Sequence, residues 1–490
     1  MSPDRHSKQA IRNGVIALAL AVSLGACASV PDLGPRPAMR TTETVEASET
    51  LQPRGAVPWP GDGWWTALGD AQLNGLIDAA LANSPDMALA AARVRRAEAM
   101  VQRTGAAGLP TVGAGAEVGL RKQSANNGFP KQFLPDGWRD NAQLSLNFDY
   151  DLDLWGKNRA ALAAATSEAR AAAVDAAQAR LILTTGIAQA YFGLERLYRQ
   201  RDLAVAAQEN RQAARLLIDR RLAQGLENRA ALRQADAEIS RSVEGVAAID
   251  ENIAVHRNQL AALIGAGPDR GAAIERPIRA TILTGGVPHR VSTDLIGRRP
   301  DIVASRERVE AASSRIAEAR AGFFPSVNLA GLIGLQSLGI GNLLQADSIF
   351  GNAGPAISLP IFQGGALQGQ FRTTRADFDV AVATYNATVL SAYQEVADAV
   401  TRQDSAQHRL AVVQHALGAR EEALDIIRRR YAGGLANYLE VLTTERGVQE
   451  SQIAVAMLEA ELLAAQLALV RALGGGFDGN DSRLAGITTQ

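Results

Sequence analysis

The chain has 490 residues, with 50 Lys+Arg against 51 Asp+Glu, so a formal net charge of -1 implies no polyanionic partner and argues against nucleic-acid binding. Apolar residues make up 47% of the chain but aromatics only 5%, and much of the difference is Ala, the best helix former. Long, closely packed helices are expected rather than an aromatic core, and a single Cys excludes disulfide frameworks and Cys-based zinc sites.

Residues 1–26 read as an export signal. Arg5, Lys8 and Arg12 precede a short apolar run from Val15 to Leu24, too short to span a bilayer but right for a signal core. The run ends in Leu24-Gly25-Ala26-Cys27, which resembles the lipobox of bacterial lipoproteins. By that resemblance Cys27 is the lipidated first mature residue, and Ala28 in place of Asp points to the outer membrane. Elsewhere no run of ~20 apolar residues lacks charge. Residues 27–63 form an extended linker, since six of the 18 prolines fall between 29 and 60.

Two halves follow, 64–275 and 290–475, then a tail, 476–490. In the first half a helix is expected over 85–108. Strands are expected over 111–120 and 142–154. In 142–154, Leu144, Leu146, Phe148, Tyr150, Leu152 and Leu154 alternate with Gln143, Ser145, Asn147, Asp149, Asp151 and Asp153. Period 2 sustained this long means one apolar and one wet face. A Pro-free tract predicts a long helix over 156–222, about 100 Å at 1.5 Å per residue. A glycine turn leads to a helix over 228–264. There Leu232, Ala235, Ile239, Val243, Val246 and Ile249 step by 3 and 4, as in a coiled-coil seam.

The second half repeats the order after the Gly/Pro-containing stretch Gly265 to Pro288. A helix is expected over 300–322, strands over 326–335 and 355–362, a long helix over 366–431 and a partner helix over 437–473. Asn83-Ser84-Pro85-Asp86 corresponds to Arg298-Arg299-Pro300-Asp301, and Gly225-Leu226 to Gly434-Leu435. Landmarks at near-constant spacing identify a tandem repeat. In each half the helices before and after the long one sum to nearly its length, so two short helices should stack end to end beside it.

Each strand is about the length of a tilted membrane-spanning strand. Four strands cannot close a barrel, and an open sheet edge cannot face lipid. A membrane role therefore requires several chains to share one barrel.

These residues resemble the outer-membrane efflux protein family, the TolC/OprM-like channels, and most closely its lipid-anchored NodT-like subgroup. The resemblance is carried by the Cys27 lipobox, Asp153-Leu154-Trp155-Gly156-Lys157, Arg298-Arg299-Pro300-Asp301, Pro360-Ile361-Phe362-Gln363-Gly364-Gly365 and Tyr431-Ala432-Gly433-Gly434. It implies an α+β membrane fold, a homotrimer with a shared 12-stranded β-barrel in the outer membrane and a long α-helical barrel in the periplasm. The implied function is the exit duct of a tripartite efflux system, exporting small amphiphilic molecules such as drugs. The implied partners are a periplasmic membrane-fusion adaptor and an inner-membrane RND-type transporter.

The resemblance also implies site residues. The helical turns, with Arg221, Leu222, Gly225, Leu226, Tyr431, Gly434 and Leu435, would form the periplasmic tip where the adaptor docks. Leu439, Thr443 and Arg446 share a helix face just beyond and would constrict the pore. The family often has an acidic residue where Thr443 stands, so Glu440 is the candidate partner for Arg446. No cofactor, metal or catalytic residues are expected, because no phosphate loop or nucleophile elbow is present and His408 and His415, seven residues apart, lack a carboxylate set. The alternative is a periplasmic adaptor lipoprotein, which carries compact β domains and lacks the duplication.

Overall fold

The computed structural model describes residues 29–47, 49–52, 57–126, 128, 130–279, 286, 288 and 291–479. The expected signal segment, Cys27 and residues 480–490 of the tail lie outside them. In chain order the α-helices among the described residues are α1 (Ala71–Asn83), α2 (Pro85–Ala106), α3 (Lys157–Ala223), α4 (Arg229–Leu263), α5 (Pro268–Ala272), α6 (Val291–Arg298), α7 (Pro300–Ala321), α8 (Ala366–Ala432) and α9 (Tyr438–Ala472). The strands are β1 (Thr111–Arg121), β2 (Arg139–Asp151), β3 (Ser326–Leu338) and β4 (Ile349–Ser358). Helices α3 and α8 have 67 residues each, and α4 and α9 have 35 each, so the duplication is carried to the same lengths.

The chain divides into two compact units: residues up to Met39 with Arg95–Ala171 and Arg306–Thr384, and Arg40–Val94 with Ala172–Ser305 and residues from Tyr385 onward. Neither unit is one repeat. Each takes segments from both halves, which the β2–β3 pairing joins in the first unit and a shared apolar core joins in the second.

The first unit holds one antiparallel sheet in the order β1-β2-β3-β4, with the β2–β3 pairing joining the two hairpins. The register collects the alternation into faces. Val112, Phe148, Gly331 and Ala353 form one row, Ala114, Leu146, Ile333 and Gly351 the next, and Ala116, Leu144, Leu335 and Ile349 a third. The opposite face carries Thr111 with Asp149 and Gly113 with Asn147. The apolar face is uncovered: Val112, Leu146, Phe148 and Ile333 are all exposed.

All four strands depart from their expected bounds: β1 runs one residue and β3 three residues beyond its expected end, and β2 and β4 are shifted toward the N-terminus. The expected 142–154 strand forms over 139–151, because Asp153 adopts φ 43 and turns the chain into α3. Its carboxylate accepts hydrogen bonds from the Asn158 N–H at 2.9 Å and the Arg159 N–H at 3.0 Å, capping the helix. Trp155 stacks on Phe324 at 4.8 Å, and its Nε1 donates to the Pro325 carbonyl at 2.7 Å. The expected 355–362 strand forms over 349–358, because its partner β3 begins at Ser326, immediately after Pro325. Pro355 lies on β4, which has no outer partner within this chain. The linker residues of this unit lie along α8, where Arg375 donates to the carbonyls of Gly34 and Pro35 and Arg36 lies 5.4 Å over the Phe378 ring.

The second unit has the main core: Trp64, Leu73, Ile77, Ile187, Tyr191 and Leu260 of the first half with Leu463 and Leu467 of the second. Helix α9 is long and apolar enough to cross a membrane, yet half of its most apolar window is buried in the chain. Its Glu459 pairs with Arg199 and Arg279, and its Glu461 with Arg409. At the core's edge the buried Asp70 carboxylate caps α1 and accepts from the Tyr191 hydroxyl at 2.7 Å. Burial, more than the Asp70 charge, raises the Tyr191 pKa well above its ordinary value.

The Arg-Arg-Pro-Asp motif has a structural explanation here. The buried Arg299 guanidinium donates to Asp301 at 2.6 Å, Glu395 at 2.9 Å and the Ala472 carbonyl at 3.0 Å. Burial acts to lower its pKa, but Asp301 and Glu395 outweigh it and hold the group above the ordinary arginine value. Beside it the end of α9 meets the start of α7, as the end of α4 meets the start of α2.

Candidate functional site

The two turns that join the long helices to their partners are built alike. The Leu226 N–H donates to the Arg221 carbonyl and the Leu435 N–H to the Arg430 carbonyl, each at 2.8 Å. The N–H groups of Gly225 and Gly434 reach back to the carbonyls of Leu222 and Tyr431, each at 3.0 Å. This is a Schellman ending, and it needs the left-handed residue that Gly225 (φ 73) and Gly434 (φ 77) supply. Asn228 and Asn437 then cap α4 and α9 through their side chains. In such endings the residue after the glycine commonly packs back on the helix. Here Leu226 is 62% and Leu435 73% exposed, leaving two leucines presented to solvent.

Beneath the turns Ile218, Ala235, Tyr431, Tyr438, Val441 and Leu442 form a separate small core. Arg221 of the first turn lies 4.7 Å over the Tyr431 ring of the second, and its Nη1 donates to the Tyr431 carbonyl at 3.1 Å. The Tyr431 hydroxyl faces Glu227. Burial first, and then the Glu227 charge, raises the Tyr431 pKa above its ordinary value. Among the expected docking residues, Tyr431 is thus buried and Arg221 is occupied within the chain. Leu222 is half-buried, while Gly225, Leu226, Gly434 and Leu435 are exposed.

The expected constriction residues also divide. Leu439 is 57% exposed on the first turn of α9. Thr443 is exposed, and its hydroxyl donates to the Leu439 carbonyl at 2.6 Å. Glu440 closes a capping box, accepting from the Asn437 N–H at 3.3 Å while its own N–H donates to the Asn437 side chain. Within this one chain Arg446 is instead paired elsewhere. Arg446 pairs with Glu238 of α4, a buried carboxylate that also accepts from Arg241 at 3.1 Å. Sequence reading missed Glu238. The available signal was an acidic residue three positions after Ala235 and four before Ser242, on the apolar stripe of α4.

The wet face of the sheet is the other candidate surface. It carries Glu117, Asn147, Asp149 and Asp151 in register across β1 and β2. His408 and His415 are both exposed on α8, and among the described residues no group of three His, Cys, Asp or Glu is placed to hold a metal.

The sequence matches the family described as outer membrane efflux protein over residues 76–266 and 291–475. It is 35% identical over 376 residues to the fusaric acid resistance protein FusA of Burkholderia cepacia, covering 74% of this chain and 70% of that one. It is 30% identical over 427 residues to the multidrug resistance outer membrane protein MdtP of Escherichia coli strain K12, covering 86% and 87%. Among solved structures it resembles the outer membrane protein VceC of Vibrio cholerae at 41% identity and a TM-score of 0.81, covering 86% of this chain and all of that one.

Proposed function

The chain belongs to the outer membrane efflux protein family, and from that premise we propose that it is the outer-membrane exit duct of a tripartite efflux system. One observation carries the reading. The four-stranded sheet exposes a continuous apolar face and leaves β1 and β4 without outer partners. Unpaired strand edges cannot face hydrocarbon, so the sheet must be closed by other copies. Three copies supply 12 strands, an even number within the range of outer-membrane barrels. The wet face then lines an aqueous lumen, and Cys27 supplies a lipid anchor beside the barrel.

The helical turns form the periplasmic tip in this reading. An adaptor docks on the exposed pair Leu226 and Leu435 and the flanking Leu222, Gly225 and Gly434. Arg221 and Tyr431 act beneath them by holding the two turns together. Leu439 closes the pore as an apolar ring, with Thr443, Glu440 and Arg446 on the same or adjoining turns. An RND-type transporter in the inner membrane delivers small amphiphilic cargo through the adaptor. Purified full-length protein should form SDS-resistant trimers and give discrete conductance steps in planar bilayers. A monomeric product without conductance would refute the duct.

A further inference from the structure

At the end of the sheet remote from the helices, Arg121 of β1 stands directly opposite Arg139 of β2. Like charges at directly opposed positions destabilise an antiparallel pair. Both residues are exposed, and among the described residues neither guanidinium has an ion pair. They border a cavity of about 420 Å³ with Gln123, Asn141 and Gln336, where Asp347 is the single carboxylate. Lys122 and Lys131 add positive charge to the connection between the strands, against Asp136. Asp140 faces the other way, its carboxylate accepting from the Ile340 N–H at 2.7 Å.

The register fixes the face of the pair. Arg139 shares the parity of Asn147 and Asp149, and Arg121 that of Glu117 and Thr111, so both belong to the wet face. Along that face the sign changes: Asp149 and Asp151 lie at the helix end and the two arginines at the hairpin end. We infer that Arg121 and Arg139 make the outer mouth of the duct a basic ring that concentrates anions and sets the ion selectivity of that end. The inference rests on the trimeric duct proposed above, in which three copies bring six guanidiniums around one opening. Charges of one sign lining a low-dielectric opening focus potentials of several kT and raise the local concentration of counter-ions.

The test uses full-length protein in planar bilayers with KCl and inorganic tripolyphosphate as the anionic probe. Tripolyphosphate should block the wild-type channel from one face of the bilayer more strongly than from the other. Raising KCl from about 0.1 M to about 1 M shortens the screening length from ~10 Å to ~3 Å, so the one-sided block should weaken at least about tenfold. Arg121→Gln/Arg139→Gln should form trimers that conduct, lose the sidedness of block and show a chloride-to-potassium permeability ratio lowered about threefold. Arg121→Lys/Arg139→Lys should retain both properties. Conducting glutamine variants with unchanged ratio and unchanged block would overturn the inference and leave the duct standing. So would a wild-type block that is symmetric or indifferent to salt, a readout that does not depend on any variant assembling. Absence of conductance from the wild-type protein would instead remove the duct, and this inference with it.

Discussion

Gly474 presses its backbone against Arg298, so that a β-carbon at position 474 would lie 1.9 Å from the Arg298 carbonyl oxygen. In the first half Gly265 stands in the same relation to Asn83, at 2.5 Å. Both glycines also hold positive φ, 88 and 74. Here the two short helices of each half meet end to end, and only a residue without a side chain lets the backbones approach so closely.

Gly474→Ala should therefore cost about 2–3 kcal/mol, combining the left-handed penalty with the clash. Gly433→Ala is the control, because a β-carbon there meets only ordinary contacts beyond 3.5 Å. Thermal unfolding of the purified protein should show a lowered midpoint for the first and little change for the second. Equal midpoints would show that the joint yields without cost.

Arg in place of Leu146 should impair assembly, whereas Arg in place of Asn147 should not. A charge on the lipid face near the midplane costs about 2–4 kcal/mol per chain. The wet face leaves the same charge in water. The yield of heat-modifiable trimers from membranes would separate the two, and equal tolerance would reverse the face assignment.

In the proposed duct, Leu439→Ala should raise resting conductance by widening the apolar ring proposed at Leu439 without weakening the helix. Arg446→Ala should act mainly on the stability of the α4–α9 packing, since its partner within the chain is Glu238 of α4. A double-mutant cycle with Glu238→Ala should give a coupling of about 1–3 kcal/mol. A coupling near zero would show that the pair contributes nothing, and unchanged conductance in Leu439→Ala would move the constriction elsewhere.

Alkaline pH should weaken the second unit through Tyr191. Its folded-state pKa is raised above the ordinary value of 10.0, chiefly by burial. The phenol's contribution is therefore complete below pH 10 and is lost as pH rises toward the folded-state value. Tyr191→Phe should cost about 1–3 kcal/mol at neutral pH by removing the Asp70 bond. It should also flatten the fall in melting temperature above pH 10. A variant that falls as steeply as wild type would assign that loss to other groups.

Local patterns were enough to read the duplication, the long helices and the apolar faces of the strands. A Pro-free Ala-rich tract, a period of 2 and a glycine between long helices each act over a few residues, so composition and spacing reveal them. The limits of the strands were not local. β4 ends where β3 supplies its last partner at Ser326, and β2 ends where Asp153 turns to cap α3. Nor could spacing pair Arg446 with Glu238, or set Arg121 of one strand across from Arg139 of the next. Those relationships join residues distant along the chain or fixed only by strand register. They are decided when the helices and strands pack, because burial makes a carboxylate such as Glu238 costly unless a cation is placed against it.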